Sequence, residues 1–372
     1  MAPGSVHSCL LGGLALVLVA AAHPIRKEII DSINQGNLSW VAHQPGDNPL
    51  AWLSSKQIVN TMGLKEYPPI AHSEREFPNV QDFPESFDAR EQWSHCKKPI
   101  RNQLHCGACW AFAAAETLTD NLCVLGSAPP ALSSQQLVSC DSKDHGCHGG
   151  TLLNVWDFID KEGLVSDACM PYTSGNGKSN GTCTLPSCTE SGDSTTYKCP
   201  ENHRMLSSDK DIQAAVMTVG AVEVGFTVME DFLNYKSGIY KYSKGIPVGG
   251  HAVKIVGWGK HFSQFYWIVQ NSWGPSWGEE GYFRIVNWRT DKDSAIAIGG
   301  GFACVHGPTP SPPTPAPTPS KCKDIATYCK EFGRAKCETK SYIVPVCKRT
   351  CGCCDVGFKP AWCKKNDSQI LV

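Results

Sequence analysis

The sequence predicts an α+β protein with two lobes and a cleft between them, followed by a small disulfide-rich module. Apolar residues in one half of the main domain follow helical spacing, whereas those in the other half form short runs separated by glycines. A proline-rich stretch then precedes a final segment that carries eight of the 20 cysteines. Together these three observations indicate a helical lobe, a strand-rich lobe and a stapled module, in that order.

The first 22 residues have the pattern of a signal peptide. An apolar core over residues 10–19 is too short to span a bilayer, and three alanines at 20–22 offer a small-residue cleavage site. Disulfides form in oxidising compartments, so the high cysteine count also favours the secretory route. We expect an extracellular or lysosomal (vacuolar) protein with no stable membrane span.

Residues 23–80 contain no cysteine and are interpreted as a removable propeptide ahead of a cysteine-rich domain. Ile29, Ile30 and Ile33 are spaced as on one face of a helix. Three Asn-X-Ser/Thr sequons are predicted N-glycan acceptors in a secretory protein: Asn37, Asn180 and Asn366.

Residues 81–306 form the predicted large domain. Cys109 to Val124 is rich in Ala, Leu and Phe and lacks Gly and Pro, which predicts a helix. Four later apolar or alternating runs predict strands: Ala221–Phe226, Ala252–Trp258, Tyr266–Gln270 and Tyr282–Ile285. The helical and the strand-rich halves are expected to form the two walls of the cleft.

The composition changes sharply after this domain. Residues 307–320 alternate proline with small and hydroxyl residues, which favours polyproline II and predicts a linker. Residues 321–354 form a predicted module that needs disulfides, because so short a segment buries little apolar surface. Residues 355–372 are a predicted tail.

One short segment, Gln103-Leu104-His105-Cys106-Gly107-Ala108-Cys109-Trp110, indicates the chemistry. Its pattern is typical of a thiol nucleophile, and His251 follows within the interval of roughly 130–150 residues that such sites show, with Asn271 beyond it. A cysteine at a helix N-terminus is favoured as thiolate by the helix dipole. On spacing alone, Cys106 and Cys109 are both candidates for the nucleophile.

Other classes of function find less support in the sequence. The net charge of −1 gives no reason to expect a nucleic-acid partner. Histidines 105, 145 and 148 lie near the motif with irregular spacing, so we interpret them as solvated loop residues and predict neither a metal nor another cofactor.

The segments around Cys109, His251 and Asn271 resemble the papain family of cysteine peptidases, and residues 83–93 resemble the start of its mature cathepsin B branch. This resemblance implies the papain-like two-lobe fold, with a helical lobe and a β-barrel-like lobe. It assigns Cys109 as nucleophile, His251 as acid and base, Asn271 as the residue that orients the imidazole, and Gln103 as oxyanion donor.

Substrate binding is also implied by the resemblance. Gly149 and Gly150 are expected to expose backbone groups to an extended protein or peptide substrate, with Ala252 and Trp273 beside it. The propeptide of the cathepsin B branch runs backwards through the cleft and blocks it. We therefore expect the chain's own propeptide to act as its inhibitor.

Two departures from cathepsin B bear on specificity. Cathepsin B has an occluding loop whose histidines bind the substrate's terminal carboxylate. The corresponding stretch here, Met170 to Thr182, is short and has no histidine, and its sequence predicts a flexible, exposed loop. Lys178 there is interpreted as solvated, with carboxylate binding as the alternative. Gly299 to Cys304 lacks the acidic residue that accepts arginine at P2, so we predict an open-cleft endopeptidase with a hydrophobic P2 preference.

Once Cys9 in the signal peptide and Cys109 are set aside, the number of cysteines is even, which favours Cys106 as a disulfide partner. The resemblance implies four pairs: Cys96–Cys123, Cys106–Cys147, Cys140–Cys183 and Cys169–Cys188. Cys199–Cys304 follows only by elimination.

The last module resembles a ShK toxin-type domain in its cysteine spacing, in Asp324 and in Thr350-Cys351-Gly352. This resemblance implies three disulfides: Cys322–Cys354, Cys329–Cys347 and Cys337–Cys351. Cys353 and Cys363 are left as extra cysteines. Lys340 and Tyr342 are displaced from the Lys–Tyr dyad of channel blockers, which disfavours a channel partner. We interpret the basic module as a tether to a surface, a matrix or a partner, or as a passive cap.

The sequence thus predicts a secreted or lysosomal cysteine endopeptidase, made as a zymogen, that acts through a thioester on Cys109. Two rival hypotheses remain. One is a catalytically silent binding protein that acts through the ShK-type module, and the other is a carboxydipeptidase of the cathepsin B type.

Overall fold

The computed structural model describes residues 23–65, 83–185, 188, 194–262, 264–287 and 300–305. The predicted signal peptide, linker, ShK-type module and tail lie outside these residues. The same holds for the disulfides predicted within that module and for Asn366.

The described residues contain seven α-helices, and none of them is long and apolar enough to cross a bilayer. The helices are α1 (Lys27–Gln35), α2 (Ser55–Asn60), α3 (Ala89–Gln92), α4 (Cys109–Val124), α5 (Ser134–Cys140), α6 (Leu152–Lys161) and α7 (Asp209–Val219). Short 3₁₀ turns occupy Ser94–Cys96, Gly146–His148, Ser174–Asn176 and Phe232–Asn234.

Nine strands in the described residues form one sheet: β1 (Trp40–Ala42), β2 (Phe87–Asp88), β3 (Arg204–Leu206), β4 (Val222–Met229), β5 (Tyr235–Tyr240), β6 (Pro247–His261), β7 (Gln264–Gln270), β8 (Tyr282–Val286) and β9 (Gly301–Ala303). Their order is β1-β5-β8-β7-β6-β4-β9-β3, with β2 paired to β6. Only β5 and β8 pair in parallel among these strands.

The helical lobe is built around α4, which has the bounds that the sequence predicts. Almost all of its side chains are buried, including polar ones such as Glu116, so the helix has no solvent-facing stripe. Trp110, Phe112 and Leu118 pack with Trp156 of α6 in one apolar cluster. The fully enclosed helix thereby fixes the position of its first residue, Cys109, at the cleft.

The strand-rich lobe contains the four predicted strands as β4, β6, β7 and β8. Val222, Val224 and Phe226 alternate along β4 and all face one apolar core. The prediction starts β6 at Ala252, because Gly249 and Gly250 have low β-propensity. The observed strand begins at Pro247, since these glycines nevertheless pair with β4. The observed α+β fold with two lobes confirms the predicted fold class.

The N-terminal segment, residues 23–65, packs against the strand-rich lobe. Helix α1 buries Ile29, Ile30 and Ile33 in the core of that lobe, and β1 extends the sheet by pairing with β5. Arg26 donates to the carboxylate of Glu230 at 2.5 Å. The segment is therefore a docked part of the structure, and it continues from α2 into the cleft.

Five disulfides staple the described residues, and they include the four pairs implied by the family resemblance and the one reached by elimination: Cys96–Cys123, Cys106–Cys147, Cys140–Cys183, Cys169–Cys188 and Cys199–Cys304. Cys109 is the only free cysteine of the described residues. The thiol at the start of α4 is thus left unoxidised beside a disulfide at Cys106.

Buried polar contacts join the two lobes behind the cleft. Lys254 of β6 donates to Asp120 of α4 at 2.5 Å, and Gln270 of β7 donates to Glu116 of α4 at 2.7 Å. A buried ion pair contributes little net free energy to folding, because desolvation of its charges offsets their attraction. The loss of one partner, however, leaves a buried charge without compensation.

Replacement of Asp120 by Asn should lower the free energy of unfolding by about 3 kcal/mol, because Lys254 would stay buried without its carboxylate. Glu116 also lies near Lys254 and keeps the loss toward the lower end of the range for broken buried pairs. Urea unfolding with intact disulfides measures the change. Asp157→Asn, in the exposed Lys143–Asp157 pair, is the matched control and should cost less than about 1 kcal/mol. Equal losses in the two variants would contradict the buried-pair interpretation.

Candidate active site

Cys109 lies at the first turn of α4 with its side chain fully buried. The residue before it, Ala108, supplies no side-chain cap, so the N–H groups of the first turn remain available to other acceptors. Backbone groups of Trp110, Ala252 and Gly63 lie near the sulfur and favour its ionised form. The thiol is therefore placed where backbone groups from both lobes and from the N-terminal segment converge.

His251 of β6 faces Asn271, which follows β7. Its Nε2 lies 2.8 Å from the Asn271 Oδ1. The same oxygen accepts the backbone N–H of Ser272 at 2.8 Å, so the imidazole must donate from Nε2. The Nδ1 has no hydrogen-bond partner in the described part of the chain and remains as the basic nitrogen. The Trp273 ring packs over the imidazole with centroids 4.7 Å apart and shields this contact from water.

Gln103 has the surroundings of a preorganised oxyanion donor. Its Oε1 accepts from the Ser272 hydroxyl at 2.7 Å, which turns the amide nitrogen toward the cleft. The Nε2 then donates to the carbonyl oxygens of Cys106 and Thr61, both at 2.9 Å. The Thr61 carbonyl of the N-terminal segment thus stands in for the peptide carbonyl that such a donor would polarise.

The N-terminal segment crosses the cleft as an extended chain that pairs with both lobes. Gly150 donates to the Gly63 carbonyl at 2.8 Å and accepts from the N–H of Lys65 at 3.0 Å. Leu64 donates to the carbonyl of Gly250 on the other wall at 3.0 Å. The bridge to Gly150 is parallel and that to Gly250 is antiparallel. Backbone groups on both walls can therefore hold an extended peptide.

Small residues make room for this chain. A side chain at Gly149 would meet the backbone of Gly63, and Gly149 adopts a φ of +108°, which favours glycine. Leu64 inserts its side chain over Gly225 and shares an apolar cluster with Ala252. The cleft therefore contains one apolar pocket that is filled by a leucine.

Burial sets the charges of the two central groups. It raises the pKa of the Cys109 thiol to about 11, although the three backbone groups act in the opposite direction. Burial also lowers the pKa of His251 to about 4, against the effect of Asn271. The sequence predicts a thiolate at the helix N-terminus, whereas with the N-terminal segment in place both groups are neutral, because desolvation outweighs the helix dipole.

The stretch from Met170 to Thr182 differs in part from the expectation of an exposed loop. Ser174 and Gly175 are buried, because Gln135 accepts from the N–H groups of the turn and donates to the Ser174 hydroxyl at 2.8 Å. Lys178 is exposed, as expected. This stretch packs beside the nucleophile segment, where the N–H of His105 donates to the Gly175 carbonyl.

Two of the predicted glycan acceptors, Asn37 and Asn180, are exposed. Asn180 has a structural contact as well, since its side-chain oxygen accepts the N–H of Cys147 at 2.9 Å. Glycosylation of either residue stays a prediction.

One grouping of possible metal ligands occurs in the described residues, His95 with Cys96 and Cys123. The two cysteines form a disulfide with each other, so their sulfurs are not available as thiolates for a metal. His105, His145 and His148 do not form such a grouping within the part of the chain that the structure describes.

Sequence reasoning missed three residues of the site. Ser272, which orients Gln103, is adjacent to the predicted Asn271 and could have been inferred from its place in the motif. Thr61 and Leu64 carry no local signal, because their roles depend on contacts with residues far along the chain.

Comparison with known proteins identifies the family. The profile of the papain family cysteine proteases matches residues 83–299. The chain is 41% identical over 219 residues to cathepsin B-like CP2 of Giardia intestinalis, which covers 58% of this chain and 73% of that protein. It is 33% identical over 321 residues to cathepsin B-like cysteine proteinase 4 of Caenorhabditis elegans, which covers 78% of this chain and 95% of that protein.

The fold is similar to that of procathepsin B S9 from Trypanosoma congolense, with a TM-score of 0.65 and 28% identity. The alignment covers 76% of this chain and 99% of the trypanosomal chain, which is a proform. The profile match over most of the large domain, the cathepsin B-like relatives and the convergence of Cys109, His251, Asn271 and Gln103 in one cleft lead to one conclusion. The chain is a cathepsin B-like member of the papain family of cysteine proteases.

Proposed function

We propose that the chain is an endopeptidase zymogen in which residues 23–80 form an inhibitory, removable propeptide and Cys109 is the nucleophile. The observation that carries the proposal is the donation of the Gln103 amide to the Thr61 carbonyl, while the backbone of Gly63 lies near the Cys109 sulfur. A peptide of the chain itself thus occupies the position of a substrate.

In the proposed reaction, the Cys109 thiol transfers its proton to the His251 Nδ1 and the sulfur attacks the substrate carbonyl carbon. The resulting oxyanion accepts hydrogen bonds from the Gln103 Nε2 and the backbone N–H of Cys109. The imidazolium then protonates the leaving amine as the C–N bond breaks, which leaves a thioester. Water, deprotonated by the imidazole, hydrolyses the thioester and restores the thiol.

Removal of the propeptide should also change the charges in the site. Burial is the largest cause of the raised thiol pKa and of the lowered imidazole pKa. Access of water to Cys109 and His251 would reverse both shifts and favour the thiolate–imidazolium pair, aided by the N-terminus of α4. The same segment therefore blocks the cleft and suppresses the nucleophile.

Two features support endopeptidase activity with a hydrophobic P2 residue. The Met170–Thr182 stretch has no histidine to capture a terminal carboxylate, although Lys178 keeps the carboxydipeptidase hypothesis open to test. The pocket that Leu64 fills is apolar and is bordered by Gly225 and Ala252. An aliphatic P2 side chain would occupy the same volume.

The disulfides and the cathepsin B-like relatives are consistent with the secretory pathway or a lysosome. For the C-terminal ShK-type module, which rests on the sequence pattern alone, we propose that the proline-rich linker holds it away from the peptidase as a tether. The silent-binding-protein hypothesis assigns the working role to that module, and an inactive mature enzyme would favour it.

Gln103→Ala should lower kcat of the acid-activated enzyme about 10²–10³-fold, because one oxyanion donor is lost while Cys109 and His251 remain. Steady-state kinetics on a quenched fluorescent peptide measure the effect. Gln213→Ala, on the outer part of α7, is the control and should leave kcat unchanged. A Gln103→Ala enzyme with near-wild-type kcat would exclude the proposed oxyanion role.

Cys109→Ala should show no turnover and no labelling by an epoxide thiol inhibitor.

Specificity can be tested with four matched peptides that carry Leu or Arg at P2 and a free or amidated C-terminus. The proposal predicts at least tenfold higher kcat/KM for Leu, which corresponds to about 1.4 kcal/mol of transition-state binding in an apolar pocket. It predicts equal rates for the free and amidated ends. A strong preference for the free carboxylate would favour the carboxydipeptidase, and a preference for Arg would contradict the apolar pocket.

Acidification should release the propeptide in part through His43. This residue is 6% exposed at the contact with the strand-rich lobe, and neither ring nitrogen has a partner among the described residues. Burial, followed by the charge of Lys236, lowers its pKa, and Asp47 opposes them. The docked state therefore binds fewer protons than the undocked state, so docking weakens as pH falls below the ordinary histidine pKa of about 6.5.

His43→Leu should remove this dependence and slow the labelling of Cys109 by an epoxide inhibitor in the zymogen at least about fivefold near pH 5, with little change at pH 7. Labelling rates across this pH range, measured before any cleavage, report undocking. His95→Leu, at an exposed histidine away from the propeptide contact, controls for the loss of a histidine. Parallel pH profiles for wild type and His43→Leu would show that His43 has no part in release.

A further inference from the structure

A second cavity, of about 230 Å³, lies between the two lobes behind the cleft. Its walls combine residues of α4 with residues of β6 and β7, so both lobes contribute. At about 15 Å³ for each water-sized probe, this volume is far larger than one structural water requires. The cavity is separate from the segment that carries Leu64, and it does not depend on the propeptide for its walls.

Most charges on these walls are already compensated. Arg101 pairs with Asp167 at 2.5 Å, and Lys254 pairs with Asp120 at 2.5 Å. Glu116 is different, because one carboxylate oxygen accepts from Gln270 and the other, Oε1, is buried with no partner among the described residues.

A buried carboxylate oxygen without a donor costs free energy, so it favours an occupant that brings an N–H or O–H group. Glu116 is 8% exposed and lines the cavity, which directs that demand into this space. Lys98 lines the same cavity and offers a half-exposed ammonium group. The walls therefore provide one unsatisfied acceptor and one cation.

Part of the cavity wall is apolar. This part consists of Pro99, Ala131 and Leu132. An acceptor, a cation and an aliphatic wall around one cavity are complementary to an ammonium, a carboxylate and an aliphatic side chain, which are the three parts of an apolar α-amino acid.

We propose that this cavity is a binding site for a free amino acid with an aliphatic side chain, whose ammonium group donates to Glu116 and whose carboxylate accepts from Lys98. Such amino acids are end products of complete protein digestion. The site would therefore respond to products of proteolysis, the class of reaction to which the enzyme contributes.

The position of the cavity gives an occupant access to the catalytic residues. Gln270 immediately precedes Asn271, Lys254 lies on the same strand as His251, and Glu116 lies two turns after Cys109 on α4. A ligand that fixes these residues would also restrain the proposed catalytic groups, which lie only one to seven residues away along the same elements. Binding should therefore be detectable at Cys109, outside the cavity itself.

The first test is calorimetric titration of the full-chain zymogen with L-leucine and with its two halves, 3-methylbutylamine and 4-methylpentanoate. The proposal predicts saturable one-to-one binding of L-leucine, and at least tenfold weaker binding of either half. No binding of L-leucine, or equal binding of the amine alone, would overturn it.

The second test uses Glu116→Gln and Lys98→Gln, each expected to weaken L-leucine binding at least tenfold. Glu162→Gln, at an exposed glutamate remote from the cavity, is the matched control and should bind as wild type does. Lys98 is on the outer wall, so Lys98→Gln keeps the test valid even if Glu116→Gln folds poorly. Wild-type affinity in a folded Lys98→Gln variant would refute carboxylate recognition.

The third test concerns the coupling between the cavity and Cys109. In the mature enzyme, L-leucine should change the rate of epoxide labelling of Cys109 in wild type but not in Lys98→Gln. An unchanged rate in wild type would refute the coupling.

Discussion

The pairing of one extended segment with both walls of the cleft is the constraint on which the rest of the structure depends. Gly63 and Lys65 bond to Gly150 of the helical lobe, and Leu64 bonds to Gly250 of the strand-rich lobe. These contacts close the cleft over the thiol, hold the Thr61 carbonyl against Gln103 and fill the apolar pocket. The proposed inhibition and substrate mimicry both rest on this single strand-like contact, as does the neutral charge state of the site.

Magnitudes show how strongly the N-terminal segment disfavours an ion pair in the site. Proton transfer from Cys109, with a pKa of about 11, to His251, with a pKa of about 4, spans about seven pKa units, which is roughly 10 kcal/mol. Burial supplies about 6 kcal/mol of this cost, because it shifts the two groups from 9.0 and 6.5. Attraction between two charges about 4 Å apart returns roughly 4 kcal/mol at an effective dielectric constant of about 20. The neutral pair therefore prevails until hydration reverses most of the shift that burial causes.

Local and long-range features differ in how far the sequence predicts them. Helix α4 is predicted to the residue because an uninterrupted apolar run without Gly or Pro has few alternatives. The start of β6 is missed because strand pairing with β4 overrides the low propensity of Gly249 and Gly250. The burial of Ser174 depends on Gln135, a polar residue with no signal of its own. The side chains that we propose as catalytic are found through their motifs, whereas Leu64 takes its place in the cleft only from tertiary contacts.

If the N-terminal segment is the inhibitor that we propose, acid and proteolysis must act together to release it. The segment belongs to the same chain as the cleft, so its effective concentration is on the order of millimolar, and an undocked segment returns unless it is cut. Protonation of His43 should weaken docking only reversibly, because the residue becomes neutral again as pH rises. Cleavage converts this intramolecular contact into a bimolecular one and allows the propeptide to diffuse away. Under this proposal the pH controls when the cleft opens, and cleavage of the chain makes that opening permanent.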